Sequence, residues 1–136
     1  MITVVTGPPC GGKSTFIRSN AKPGDIVVDM DRIALALSVE GTAPFEYDLR
    51  VRDVAKAARY AAVKQALIVG QGERRLGVWI IDTDPSADMR RFYRSYNCQF
   101  EEVNPGRDVC LERLKARPVA NHQIATKVIE EYFAKR

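Results

Sequence analysis

Residues 7 to 15 read Gly-Pro-Pro-Cys-Gly-Gly-Lys-Ser-Thr, directly behind the apolar run Ile2–Val5. Gly7, four intervening residues, then Gly12, Lys13 and Ser14 have the spacing of a phosphate-cradling loop, G-x-x-x-x-G-K-[ST], set between a strand and a helix. Glycines let successive backbone N–H groups turn inward without a Cβ clash, and the positive end of the following helix adds its dipole to that concavity. On this reading Gly7, Pro8, Pro9, Cys10, Gly11, Gly12, Lys13, Ser14 and Thr15 surround the phosphates of a nucleotide, ATP or another NTP. Lys13 would reach the β and γ phosphates and the Ser14 hydroxyl would ligate Mg²⁺. Thr15 would open a helix running to about Asn20. The plainer alternative is a glycine-rich turn between strand and helix with no ligand.

A phosphate held in this way needs a recipient and charge stabilisation, and three further groups have the residue types to supply them. Asp29, Asp31 and Arg32 follow the apolar stretch Ile26–Val28. A carboxylate there can take the proton of an attacking hydroxyl, since phosphoryl transfer asks mainly for positioning and one orienting base. Either aspartate can equally cap the next helix. Asp82 ends the apolar run Val78–Ile81, the pattern of a second nucleotide-binding motif whose carboxylate serves Mg²⁺ directly or through water; a turn aspartate has the same signature. Arg113 and Arg117 stand four apart on one helical face. They can fold over a triphosphate or compensate the helix dipole.

These groups require elements to place them. Residues 2–6 and 25–29 read as strands, the second after the Pro23-Gly24 turn. Helices are expected from about Asp31 to Val39 and from near Glu46 to Val69. In the latter Leu49, Val54, Ala58, Ala61, Ala62, Ala66 and Leu67 keep a helical period, and Gly70 to Gly72 stop it. Residues 76–82 are a continuous apolar strand of the kind covered on both faces. Asp84 as cap and Pro85 at the first helical position open a helix to about Tyr96. Residues 98–103 form the fourth strand. Asn104 and Pro105 repeat the cap-and-proline device for a helix ending near Pro118. Asn121 caps a last helix through Phe133, with Ile124, Val128, Ile129 and Phe133 as its apolar stripe. The alternation predicts an α/β fold, a three-layer α/β/α sandwich on a four-stranded, mainly parallel sheet. It spans residues 1–136 as a single domain with a small lid around residues 113–122, and ligands are expected at the carboxyl ends of the strands.

Gly7 to Ser14, the D-x-x-R of Asp29 and Arg32, and the R-x-x-x-R of Arg113 and Arg117 resemble the kinase domain of polynucleotide 5′-hydroxyl kinases. Similar small P-loop proteins are common in bacteriophages. The resemblance implies a P-loop NTPase/kinase fold that uses ATP and Mg²⁺ and a 5′-OH end of DNA or RNA as acceptor. It implies Asp29 as general base, Arg32 on the phosphate next to the acceptor nucleotide, and Arg113 and Arg117 as a clamp on the ATP phosphates. The Asn104–Arg107 turn becomes an adenine-side wall on the same grounds. The same core is similar to zeta-toxin-like and small-metabolite kinases, so a nucleoside, sugar or other metabolite is an alternative acceptor. An NTP-binding switch or ATPase acting through a partner is a third reading, and Asp31 a second candidate base.

The chain has 136 residues, enough for a real core. Its 46% hydrophobic and 28% charged content fits a folded domain rather than a disordered one. No apolar run reaches the ~20 residues of a membrane span, and no signal peptide is visible, so no membrane partner and a cytoplasmic location are expected. Cys10, Cys98 and Cys110 match no paired metal spacing and are expected as free thiols. Net charge is +4, and three of those four units fall after Asn104; this permits a nucleic-acid partner if the charge is clustered. Two clusters qualify: Arg52, Lys56 and Arg59 on the long helix, and Arg90, Arg91 and Arg94 beside Tyr93 and Tyr96. A solvated helix face explains the first equally well. His122, the sole histidine, is expected at the surface.

Overall fold

The structure is a computed structural model that describes residues 1–72, 76–119 and 121–136. Its elements follow in the order β1 (Ile2–Thr6), α1 (Lys13–Asn20), β2 (Ile26–Val28), α2 (Met30–Leu37), α3 (Leu49–Gly72), β3 (Val78–Ile81), α4 (Ala87–Ser95), β4 (Gln99–Glu102), α5 (Arg107–Ala116) and α6 (His122–Ala134). The four strands form one all-parallel sheet in the order β2-β3-β1-β4. Ile2 to Val5 pair with Val78 to Ile81 on one side, and Thr3 to Thr6 with Gln99 to Glu102 on the other.

β1 is the interior strand that explains its own sequence: all five residues are buried, as a parallel strand covered on both faces requires. The pleat sends Ile2, Val4, Val28, Val78 and Ile80 into one cluster with Val63, Ala66 and Leu67 of α3 and Tyr93 of α4. On the opposite face Phe16 of α1 meets the Trp79 ring edge-on at 6.4 Å. This two-sided cover is compatible with a three-layer arrangement. Each fully buried Leu or Ile here contributes about 1.5–3 kcal/mol of transfer free energy.

β1 sends its connection past β3 to β2, while β3 sends its own past β1 to β4. The carboxyl ends of β1 and β3 therefore flank the point where the winding reverses, which is where open parallel sheets bind ligands.

Several boundaries differ from expectation, each for a local reason. The strand expected over 25–29 is Ile26–Val28, because Asp25 and Asp29 turn their carboxylates to other work. Asp25 accepts hydrogen bonds from Lys22 N, Gly77 N and Trp79 Nε1 at 2.9, 3.1 and 3.0 Å. α3 runs on through Gly70 and ends at Gly72, three residues past Val69. Gly70 stays helical where a Cβ would lie 2.9 Å from Ile2 Cδ1, so its smallness admits the sheet. The inward face of α3 is Ala55, Val63, Ala66 and Leu67, while Leu49, Val54, Ala58 and Ala61 are exposed. α4 is capped by Ser86, whose Oγ accepts from Met89 N, and not by Asp84, whose carboxylate pairs with Arg136 and Lys135. Gly106 precedes α5; Asn104 Oδ1 accepts from Gly106 N one step earlier. Asn121 does cap α6, but Ile124 and Val128 face solvent and Ile129 and Tyr132 turn inward.

The backbone amide of Lys22 is the leading cause holding the Asp25 carboxyl below its usual range, with the Trp79 indole and Gly77 amide adding to it. Asp25→Ala is expected to destabilise the fold by about 1–2 kcal/mol, read as a lower midpoint in urea. Because the native pKa is depressed, that contribution is present above the unfolded value of ~3.9 and fades as pH falls through the native one. Wild type and variant should therefore converge in acid.

Candidate functional site

Backbone hydrogen bonds brace the loop between β1 and α1. Gly7 N donates to Thr83 O at 3.1 Å and Gly11 N to Pro8 O at 3.0 Å. Gly7, Cys10 and Gly12 take positive φ values of 140°, 61° and 96°. A Cβ on Gly7 would sit 2.1 Å from Val103 O, so this glycine is dictated by contact with the end of β4 as well as by its own φ. Gly12 heads α1 without a side-chain cap, which leaves the first amides of that helix and its positive dipole end to whatever anion the loop receives.

Lys13 is buried, and its Nζ donates to Gly7 O and Pro8 O at 2.8 and 2.7 Å. Burial lowers its pKa to about 8. The ammonium is folded back on the loop carbonyls, and Lys13 lines a cavity there.

Asp29 is only 6% exposed and divides its two oxygens between two tasks. Oδ1 accepts from Asp31 N at 3.0 Å, making Asp29 the cap of α2. Oδ2 accepts from Ser14 Oγ at 3.3 Å, tying the acid at the end of β2 to the first turn of α1. Capping and a position against the loop are thus combined in one residue. Asp31 instead accepts from the Tyr47 hydroxyl, from the loop before α3. Burial, reinforced by that aspartate, pushes the Tyr47 phenol well above its usual range.

Three cavities surround these groups. One of about 220 Å³ brings together Lys13, Ser14, Asp29, Asp31, Phe45, Arg52 and Arg117. A larger one, about 760 Å³, lies across the loop between Gly12, Thr15 and Phe16 and the segment Glu102–Pro105, with Arg113 and Arg117. A third, about 320 Å³, is lined by Ser14, Arg18, Asp29 and Arg32. Arg32 therefore shares Asp29 with the first cavity but does not line it.

Arg113 Nη1 donates to Cys10 O at 3.3 Å, so α5 touches the loop directly. Arg117 lies just past α5, as its C-cap, and stacks its guanidinium 4.3 Å from the centre of the Phe45 ring. The expected lid around 113–122 is thus the end of α5 and the start of α6. His122 Nε2 is 2.9 Å from Arg117 O across that connection, and residue 120 lies outside the described residues.

Asp82 is placed differently from the other acids. Its carboxylate accepts from the Tyr93 hydroxyl at 2.8 Å, with Arg59 Nη2 at 3.7 Å. It is not among the residues lining the Lys13 cavity, although its neighbours Ile81 and Thr83 are. Among the described residues no group of three or more His, Cys, Asp or Glu side chains could hold a metal ion on its own.

The residues of the two basic clusters go to different partners, although Arg59 of the first and Tyr93 beside the second share Asp82. Arg59 turns inward to donate to Ile81 O at 2.8 Å, Arg52 reaches the cavity, and Lys56 remains exposed. Arg90 and Arg94 lie over the Phe100 ring and Arg91 pairs with Asp88, while Tyr93 is buried and Tyr96 packs on Phe92. All three cysteines are free and buried. Phe45 and Tyr47 were not visible in the sequence as site residues, since the segment between α2 and α3 has no periodicity.

No protein-family model and no curated protein matches this chain. Among the described residues no helix is long and apolar enough to cross a membrane.

Proposed function

We propose that this chain is a P-loop kinase that transfers the γ-phosphate of a nucleoside triphosphate to a hydroxyl, with the 5′-OH end of DNA or RNA as the best acceptor. The observation that carries the reading is the Ser14 Oγ to Asp29 Oδ2 contact at 3.3 Å. It sets a buried carboxylate beside the residue that follows the loop lysine. An acid at that point can also serve a Mg²⁺ held through the loop serine; what a protein that only bound nucleotide would not need is a carboxylate aimed at an acceptor hydroxyl.

In this reading the loop amides and Lys13 hold the triphosphate tail, and Arg113 and Arg117 neutralise the charge that develops on the phosphoryl group. Asp29 orients the acceptor hydroxyl and takes its proton as the new O–P bond forms. The bond between the γ phosphorus and the bridging oxygen breaks in line, and the electron pair leaves with the nucleoside diphosphate. Arg32, one turn along α2, is available to a phosphate of the acceptor from the neighbouring cavity.

Mg²⁺ bound with the nucleotide would supply charge neutralisation on the phosphates. The donor set fits a hard cation: the Ser14 hydroxyl spends its one proton on Asp29 and keeps its lone pairs free. Asp82 was the other candidate ligand. Tyr93 and Arg59 both meet its Oδ2, and it would serve the cation directly or through water.

Incubation with γ-labelled ATP, Mg²⁺ and a panel of 5′-OH DNA, 5′-OH RNA, nucleosides and sugars tests the proposal. Label is expected on the oligonucleotides. Label on small molecules alone would replace the acceptor class, and label recovered only as free phosphate would reject the kinase.

The lysine adds a pH signature. Above about pH 8 the free protein's Lys13 is increasingly neutral, and triphosphate binding must then include proton uptake. Affinity is expected to fall towards tenfold per pH unit between pH 8 and 9 in a titration calorimeter. Stability of the ligand-free protein should move the other way. Unfolded Lys keeps its proton to ~10.4, so the unfolded state binds more protons between about pH 8 and that value, and native stability rises through the window. Lys13→Met should remove both trends.

A further inference from the structure

The cavity that holds Lys13 and Asp29 has a wall that neither the loop nor the two strand-end acids supply. Phe45, from the segment between α2 and α3, stands on that wall at φ 67°, a backbone region that favours glycine. It is fixed there from two directions: Tyr47, two residues on, is anchored to Asp31, and the Arg117 guanidinium lies over the ring. Arg52, on the first turn of α3, lines the same cavity. On that helix Arg50 is engaged by Asp48 and Arg59 by Ile81 O and Asp82, while Lys56 is exposed and lines no part of this cavity. Arg52 forms no ion pair with a described residue. Three cations, Lys13, Arg52 and Arg117, thus face two carboxylates, Asp29 and Asp31, across a space of about 220 Å³.

We propose that Phe45 and Arg52 form the acceptor subsite, and that it takes a hydroxyl carried on a nucleotide, with the base against the Phe45 ring and a phosphate on Arg52. The inference rests on the phosphotransfer reading and gives its acceptor a binding site. An aromatic ring offers a base a sequence-tolerant stacking platform, and arginine offers a backbone phosphate its fork of donors. A sugar or other uncharged metabolite would leave Arg52 unmatched. The larger cavity across the loop, about 760 Å³, is of a size to hold the donor's base and sugar. Arg117 lines both cavities and touches Phe45, so the two halves of the reaction meet at one side chain.

The test uses a 5′-hydroxyl DNA oligonucleotide labelled at its 3′ end with fluorescein, and the same strand with an abasic residue at its 5′ end. Binding is followed by anisotropy in the presence of a non-hydrolysable ATP analogue, and transfer by γ-labelled ATP. Phe45→Ala should weaken binding of the intact strand, and raise its KM, roughly tenfold; the abasic strand should lose little. Phe45→Tyr should restore the wild-type value, and the KM for ATP should move far less than that for the strand. Arg52→Gln should weaken both strands alike and reduce the salt dependence by about one phosphate contact.

An intact strand bound equally well by wild type and Phe45→Ala would overturn the subsite, as would equal losses for both strands. Equal effects of Arg32→Gln and no effect of Arg52→Gln would move the phosphate contact to the Arg18–Arg32 cavity and overturn the Arg52 half. Transfer by the wild type with no effect of these variants leaves the kinase standing without this subsite. Strand binding that depends on Phe45 without any transfer of label would uphold the subsite and reject the kinase reading.

Discussion

Asp29→Asn is expected to lower transfer of label to an acceptor hydroxyl by about 10²–10⁴-fold, the range for loss of a general base, while leaving the protein folded and able to bind ATP. The two oxygens of Asp29 make this substitution informative. An asparagine keeps an oxygen for Asp31 N, so the cap of α2 survives, but it cannot take a proton from the acceptor. Asp29→Ala should show the same loss of transfer plus about 0.5–2 kcal/mol of destabilisation from the missing cap. Thermal denaturation beside the transfer assay separates the two effects. Asp31→Ala should act through Tyr47 and the segment before α3 instead, with a smaller effect on turnover. If Asp31→Ala alone abolished transfer, the base would be Asp31.

Gly7→Ala is expected to destabilise the protein by about 3–5 kcal/mol, combining a strained backbone with overpacking. The number follows from contact rather than from the ligand. The added Cβ would stand 2.1 Å from Val103 O, a backbone atom at the end of β4 that cannot turn aside, and φ at this position is 140°. Either the loop leaves β4 or β4 leaves β1. The melting temperature should drop by about 10 °C or more, and added ATP should restore little of it. Gly12→Ala offers the contrast: its Cβ would meet the movable end of Arg113 at 3.2 Å and Val103 Cγ1 at an ordinary 3.9 Å, so the penalty comes mainly from its φ of 96° and should be smaller.

The strand, loop and helix that begin the chain were legible because everything that specifies them is local: a buried β-branched run, glycines where φ is positive, a lysine at the helix start. The parallel sheet was legible from the alternation of elements, although its order was not, since pairing is a long-range property. Expected caps failed where a distant partner intervened. Asp84 has the right type and place to cap α4, yet Arg136 and Lys135 engage it from the end of the chain. The C-terminal half of the expected α3 face, Ala62, Ala66 and Leu67, does pack on the core, while Leu49, Val54, Ala58 and Ala61 do not, because the alanines repeat at several registers and only packing selects one of them.

At the site, Asp29 and Ser14 were identified separately, and their contact was not predictable from fifteen residues of separation. Arg59 read as part of a basic stripe, whereas it bonds the end of β3. Asp82 reads as a metal ligand, and the hydrogen bond its carboxylate accepts from Tyr93 has no signal in the sequence. Phe45 gave no signal at all, because nothing in a loop sequence says that one aromatic will be held at a cavity wall by an arginine seventy-two positions later.

The most direct measurement is a crystal structure with a non-hydrolysable ATP analogue and Mg²⁺. The terminal phosphorus is expected in the loop, with the Lys13 ammonium swung from Gly7 O and Pro8 O onto the phosphates and an Asp29 oxygen facing that phosphorus across the small cavity. An analogue seated away from the loop, or Asp29 turned from its terminal phosphate with no other carboxylate in reach, would contradict it.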